Sequence, residues 1–257
     1  MTDLTTLSHH TRHIPESLQA HAQQMVQRFT ESLSPEQLSV FEDPQVALTA
    51  FKVCICSEFV RDSWLRHPDL ISALINSGDL FSATRRDCYA KSMAELSFTD
   101  EASLAKELRR FRRREMIRIA WRDLAGWADL NETLSDLSAL AERCIQTALD
   151  FIYQKACLRW GTPTLSDGRP FNIVVLGMGK LGAWELNYSS DIDLIFAYAE
   201  QGELTGKQEI SYGEFFTHIC RSLVRMLDET TVDGFVFRTD VRLRPFGDSG
   251  PLIMTFD

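Results

Sequence analysis

The sequence predicts an α+β fold, a helical module over residues 1–160 followed by a compact mixed module over residues 161–257. Three observations lead there. Up to about residue 160 the chain carries helix starts and stops but no strand-period alternation of useful length. "GTPTLSDGRP" (Gly161–Pro170) is then a run of turn residues that reads as a linker. Beyond it, apolar runs of strand length alternate with short helical stretches.

The helical elements follow from their punctuation. Ser34-Pro35-Glu36 and Asp43-Pro44 each set a capping side chain before a proline at the first helical position. One helix is expected from Pro44 through "QVALTAFKVCICSEFVRDSWL". His67-Pro68-Asp69 restarts the chain into "LISALI", and Ser77-Gly78 stops it. Further helices are expected over Arg86–Leu96, Glu101–Trp127 and Glu132–Trp160. In the second module "FNIVVLG" reads as a strand, "KLGAWELN" as a short helix and "DIDLIFAYA" as a strand. A polar loop, "EQGELTGKQE", then leads to the helix "YGEFFTHICRSLVRMLDE" and to a long strand, "GFVFRTDVRLRP".

Composition excludes several classes of partner. At 257 residues, 44% hydrophobic and 25% charged, the chain is an ordinary globular one. Its net charge of −9 argues against a polynucleotide ligand, which needs clustered basic charge. No apolar run reaches membrane-spanning length, and the start lacks the layout of a secretory signal. The six cysteines, Cys54, Cys56, Cys88, Cys144, Cys157 and Cys220, are scattered, and Cys54 and Cys56 point to different sides of a helix. Reduced, structural thiols and a cytoplasmic protein are the expectation. His9, His10 and His13 are read as part of a mobile amino terminus rather than a metal cluster.

The stretch "VLGMGKLGAWELNYSSDIDLIF" (Val175–Phe196) admits two readings. Gly177, Gly179 and Gly182 spell G-x-G-x-x-G after an apolar run, and Glu200 stands where a dinucleotide fold would hold a ribose. Only eight residues separate Gly182 from Asp191, too few for a crossover helix. Asp191 and Asp193 would also fall inside a strand that such a fold wants apolar, where uncompensated carboxylates are costly.

The other reading uses those charges. Residues i and i+2 of a strand face the same way, about 6.5–7 Å apart, so Asp191 and Asp193 can share divalent cations. Mg²⁺ takes a few carboxylates plus phosphate oxygens. The amides of Gly177–Gly182 would cradle phosphate, with Lys180 as an added point charge. On the last strand Phe235, Phe237, Thr239, Val241 and Leu243 would share one face, and Arg238, Asp240, Arg242 and Arg244 the other. A third carboxylate among arginines, beside a carboxylate pair, is what metal-dependent phosphoryl or nucleotidyl transfer uses.

"LRRFRRREMIRIAWRD" scatters its arginines all round a helix, interleaved with Phe111, Ile117, Ile119 and Trp121. The absence of an amphipathic stripe argues against a nucleic-acid face. The reading is a packed helix with arginines paired to acids, against the alternative that it touches the catalytic module or a protein partner.

Glycine, a short helix, D-x-D at strand spacing and a distant third Asp together resemble the nucleotidyltransferase superfamily with the polymerase-beta-like palm. "GMGKLGAWELNYSSDIDLIF", "LRRFRRREMIRIAWRDL" and "DVRLRPFGDSGPL" are similar, more closely still, to the adenylyltransferase/adenylyl-removing enzymes of glutamine synthetase. The resemblance implies a palm with a small mixed β-sheet and flanking helices. "ELNYSSDIDLIF" after a long helical region looks like the first, adenylyl-removing domain of that tandem enzyme. The family's following helical block and second catalytic half are then expected to lie outside this polypeptide.

The activity implied is phosphorolysis of the AMP–tyrosine bond on adenylylated glutamine synthetase, giving ADP and active enzyme in the control of nitrogen assimilation. Mg²⁺, or Mn²⁺ in its place, is the implied cofactor, and the uridylylated PII-type signal protein the implied activator. Carried over residue by residue, Asp191, Asp193 and Asp240 would hold metal. Gly177, Gly179, Lys180, Gly182 and Ser190 would lie against nucleotide phosphates, and Arg242 and Arg244 would position the phosphate nucleophile. One departure from the family's pattern is Ala183, where a second glycine is common, followed by the bulky Trp184. Alternatives are AMP transfer from ATP to a protein tyrosine and a non-catalytic module that docks a regulatory partner.

Overall fold

The computed structural model describes residues 4–83, 86–205 and 209–256. Among them the first part of the chain is helical: α1 (Leu4–His9), α2 (Gln19–Ser32), α3 (Pro35–Leu38), α4 (Pro44–Cys56), α5 (Glu58–Arg66), α6 (Pro68–Asn76), α7 (Arg86–Ala94), α8 (Glu101–Ala125) and α9 (Leu130–Trp160). By contacts the chain forms two compact units, Met1–Thr84 with Arg113–Thr133, and Arg85–Arg112 with Leu134–Asp257.

In the first unit the starts of α3, α4 and α6 are those the punctuation predicts. Ser34 accepts from Gln37 N in a capping box, and Pro35 stands at the first position of α3. Asp43 accepts from the amides of Gln45 and Val46 ahead of Pro44. The helix expected to run on from Pro44 breaks instead at Ser57, whose side chain accepts from Val60 N and starts α5. Gly78, at φ +80°, ends the next segment after α6 in a conformation that costs a side chain about 1–2 kcal/mol.

The core of this unit is aromatic. Phe29, Phe41 and Trp121 all pack on Trp64, with ring centroids 4.9, 5.5 and 5.2 Å away. The Trp121 indole N–H donates to Thr49 Oγ1 at 2.9 Å, which satisfies it in the interior. Of the segment that carries His9, His10 and His13, Leu7 is fully buried and His10 stacks on Phe41, so the described part packs on this core. The α8 arginines in this unit pair with acids, as the packed-helix reading requires. Arg114 pairs with Asp79 and Glu115, Arg118 with Glu115 at 2.7 Å, and Arg122 with Glu132 at 2.8 Å.

The second unit contains the mixed sheet. After α9 come β1 (Val174–Met178), a single helical turn α10 (Gly179–Gly182), β2 (Ile192–Tyr198), β3 (Glu203–Thr205), β4 (Glu209–Ser211), α11 (Tyr212–Asp228), β5 (Thr239–Asp240) and β6 (Ile253–Thr255). β2 is central. β1 pairs with it antiparallel along its whole length, from Val174↔Ala197 to Met178↔Asp193. β5 and β6 both pair with it in parallel, β5 at Ile192–Asp193 and β6 at Phe196–Tyr198. On β2, Ile192, Leu194, Phe196 and Tyr198 are buried and alternate with half-buried Asp193, Ile195 and Ala197. That alternation sends the carboxylate to the open face. α11 starts with a capping box, Ser211 with Glu214, and buries Phe215, Phe216, Ile219, Cys220, Leu223 and Leu227. Phe215 meets Tyr153 and Trp160 of α9 edge-on, at 6.2 and 6.1 Å.

Three expectations change here. The long last strand shrinks to Thr239–Asp240. Val236 and Phe237 are adjacent yet both buried, and both their amides donate to Leu227 O at 2.9 Å. That backbone closes the end of α11 instead of entering a ladder. After Asp240 the chain turns, because Arg242 N bonds back to Asp240 Oδ1 at 2.8 Å. The helix read in "KLGAWELN" is one turn long, and in the polar loop after residue 200 β3 pairs antiparallel with β4, residues 206–208 of that loop lying outside the described residues. The Gly161–Pro170 turn is pinned: Thr164 and Tyr212 exchange hydrogen bonds, and Ser166 N donates to Glu200 at 2.8 Å.

Candidate functional site

The antiparallel pairing of β1 with β2 decides the glycine motif. A dinucleotide fold needs parallel strands joined by a crossover helix. Here one helical turn and a nine-residue loop reverse the chain between them. Glu200, the residue suited to a ribose, is engaged by Ser166.

The glycines instead shape a turn that closes on the carboxylates. Gly179 has φ +54°, and a Cβ on it would lie 3.1 Å from Asp193 Oδ2. Gly182 packs against β1 so closely that a Cβ would stand 2.4 Å from Gly177 O. Ala183, next along the chain, has φ −82°, which any residue adopts. The left-handed residue is Trp184, at φ 61°. Beyond it, Leu186 N donates to Ser138 Oγ of α9 at 3.2 Å, which anchors the segment that leads into Asn187–Ser190.

Gly179, Lys180, Asn187, Ser189, Ser190, Asp191, Asp193 and Asp240 line one open pocket of about 420 Å³. Asp193 and Asp240 are direct partners across the β2–β5 pairing, hence on one face of the sheet. Asp191 stands just before β2. Lys180 Nζ donates to Ser190 Oγ at 3.2 Å, and Ser190 Oγ donates to Asn187 Oδ1 at 2.7 Å. Gly177 and Gly182 line a different cavity, of about 340 Å³, with Leu181, Trp184 and residues of α9. Arg242 and Arg244 are not among the residues lining the carboxylate pocket.

Arginines hold two of the three carboxylates. Arg238 Nε is 2.8 Å from Asp191 Oδ1, and its other end donates to Ser189 O. Arg242 binds Asp240 through Nε, Nη2 and its backbone amide. The side-chain bonds from Arg242, followed by its amide, hold the Asp240 carboxyl below the usual carboxylate range, and the same contact raises Arg242. Arg244 folds back onto Val241 O and Gly250 O. Asn187 and Ser189 are the residues that motif reasoning passes over, while Arg238, expected on the charged face with Asp240, pairs instead with Asp191. "NYSS" just before D-x-D, rich in turn formers, is the signal for the first two.

Among the described residues no three His, Cys, Asp or Glu side chains converge into a self-sufficient metal cage. The carboxylates do suit a hard cation that draws its remaining ligands from phosphate oxygens and water. Open access, oxygen-only donors, and arginines already balancing the negative charge are consistent with that arrangement. No helix among the described residues is long and apolar enough to cross a membrane.

Comparison with known proteins places this geometry in a family. The sequence model of the family described as glutamate-ammonia ligase adenylyltransferase matches residues 48–257. Three similar relatives are each called bifunctional glutamine synthetase adenylyltransferase/adenylyl-removing enzyme. The one from Nitrosococcus oceani is 47% identical over 248 residues, 95% of this chain and 26% of its own length. Those from Methylococcus capsulatus and Thioalkalivibrio sulfidiphilus are 47% and 42% identical over 80% and 95% of this chain. The chain thus spans about a quarter of the length of these relatives. With its match over most of the sequence and its carboxylates gathered against a glycine turn, the chain belongs to the glutamate-ammonia ligase adenylyltransferase family.

Proposed function

We propose that the second unit carries an adenylyl-removing site, which releases AMP from a tyrosine of adenylylated glutamine synthetase by phosphorolysis. The observation that carries this reading is the convergence of Gly179, Lys180, Ser190 and three aspartates on one open pocket. Such a pocket offers cation ligands on one wall and phosphate donors on the other.

Asp191, Asp193 and Asp240 would hold Mg²⁺, or Mn²⁺ in its place. When bound, the ion neutralises charge on the phosphoryl oxygens. Lys180 and Ser190 are placed to bind the phosphate of the AMP group. Arg238 and Arg242 supply positive charge at the carboxylate wall, where the incoming phosphate must approach. An oxygen of hydrogen phosphate attacks the AMP phosphorus, the bond from phosphorus to the tyrosine oxygen breaks, the phosphate proton passes through solvent to that oxygen, and ADP and free tyrosine are the products. Phosphate is already anionic at neutral pH, so no general base is needed. The work of the site is alignment and charge compensation. A uridylylated PII-type protein as activator and a cytoplasmic setting accompany this reading.

Incubation of this chain with adenylylated glutamine synthetase, phosphate and Mg²⁺ should release ADP, and Asp193→Asn should abolish the release. Pyrophosphate release from ATP, with AMP appearing on a tyrosine, would assign the forward reaction instead. Binding of a regulatory protein with no affinity for Mn²⁺ or nucleotide would reduce the chain to a docking module.

A further inference from the structure

Asp240 sits on a strand too short to hold itself. β5 has two residues, and its pairing with β2 is supplemented by one further bond, from Ile192 N to Arg238 O at 2.8 Å. What precedes β5 is a loop, Glu229–Phe237, and two arginines of α8 in the same unit hold its ends. Arg109, nearly buried, donates through Nη2 to Glu229 O at 3.0 Å and lies 3.8 Å from the Glu229 carboxylate. Arg112 is three residues on, on the same helix face. Its guanidinium carbon stands 4.9 Å from the Phe235 ring centroid and 5.4 Å from that of Phe237. Phe237 is buried, precedes Arg238 directly and is three residues from Asp240.

We propose that Arg112, with Arg109 one turn before it, is the positioning residue for the Asp240 segment. The inference rests on the reading of Asp191, Asp193 and Asp240 as one cation site. A guanidinium suits the task because its flat cationic face is attracted to the faces of both rings while its edge keeps its hydrogen-bonding capacity. Arg109 fixes where the loop leaves α11, and Arg112 fixes where it enters β5. Thr239 and Asp240 are thereby delivered beside Ile192 and Asp193 in register. Arg238, next in sequence after Phe237, is delivered to Asp191 by the same contact.

Two readouts test this on the whole chain. One is amide hydrogen exchange at Ile192, which reports the β2–β5 junction without any metal. The other is Mn²⁺ affinity by electron paramagnetic resonance. Arg112→Met, which keeps length but not charge, should speed exchange at Ile192 selectively and weaken Mn²⁺ binding about tenfold, as losses of outer support do at metal sites. Arg112→Lys, which retains a cation over the rings, should recover part of both. Unchanged exchange at Ile192 in Arg112→Met would overturn the proposal. So would unchanged Mn²⁺ affinity in that variant, or a uniform rise in exchange through the second unit, which would reduce Arg112 to general stabilisation. If the wild-type chain binds no Mn²⁺, the cation-site reading fails, while exchange at Ile192 still decides the positioning.

Discussion

Gly179 approaches Asp193 so closely that a methyl group in place of its hydrogen would lie 3.1 Å from the carboxylate Oδ2. Its φ of +54° adds a second reason for glycine. Gly179→Ala should therefore cost about 1–2 kcal/mol from the backbone alone, and should also push the Asp193 carboxylate away. Gly126 separates the two effects: it has φ +78° and nothing within 4 Å of its would-be Cβ. Urea unfolding should show comparable losses for Gly179→Ala and Gly126→Ala. ADP release should fall only in the first.

The site was legible in the sequence to the extent that it depends on spacing. Asp191 and Asp193 two apart, after a glycine turn too near for a crossover helix, point to the pocket that the fold builds. Asp240 was recognisable as the third carboxylate, but on a wrong premise, because the strand that was to carry it is two residues long. Alternation failed there because Val236 and Phe237 answer to the end of α11, a tertiary demand that a periodic reading does not register. The same limit hid the partner of Arg238. Its pairing with Asp191 joins residues 47 positions apart, and only the β2–β5 register brings them together. The helix caps at Ser34 and Asp43 needed no such context, since a cap acts on amides two or three residues away.

The Asp191–Arg238 pair has a consequence for metal binding. Both side chains are about half exposed, so the pair is worth roughly 0.2–1 kcal/mol. A cation that takes Asp191 must give up that attraction. Arg238→Met should accordingly tighten binding of Mn²⁺ alone, by up to about fivefold for 1 kcal/mol. Binding of phosphate in the presence of Mn²⁺ should weaken, because the positive charge beside it is gone. Titration followed by electron paramagnetic resonance, with and without phosphate, gives both numbers.

His218 gives the second unit a pH dependence with a definite sign. Its imidazole meets the Trp160 ring edge-on at 4.9 Å. Partial burial there, then the charge of Arg159, lower its pKa below 6.5, with Arg225 acting in the same direction and Glu101 opposing. The unfolded chain then binds the proton more readily than the folded one, so stability falls as pH drops through about 6.5. His218→Gln removes that contribution. The stability lost between pH 7.5 and 5.5 by urea unfolding, roughly the span of a histidine titration, should be smaller in the variant than in the wild type.

The buried pair Glu115–Arg118 is the strictest test of the arginine helix as a structural element. Arg118 is fully buried and Glu115 is 3% exposed, and they meet at 2.7 Å. Glu115 also receives Arg114, which in turn holds Asp79. Both groups are buried, so their pairing offsets much of the cost of taking two charges out of water. Glu115→Leu alone should cost about 3–5 kcal/mol, because it leaves the Arg118 guanidinium buried with its main counter-ion removed. Combining it with Arg118→Met removes the buried guanidinium as well. The double variant should recover much of the loss and lie closer to wild type than Glu115→Leu does. If the single substitution were nearly neutral by urea unfolding, the pair would have to be solvated in solution. The helix would then owe its place chiefly to buried apolar residues such as Trp121, Ile117 and Ile119.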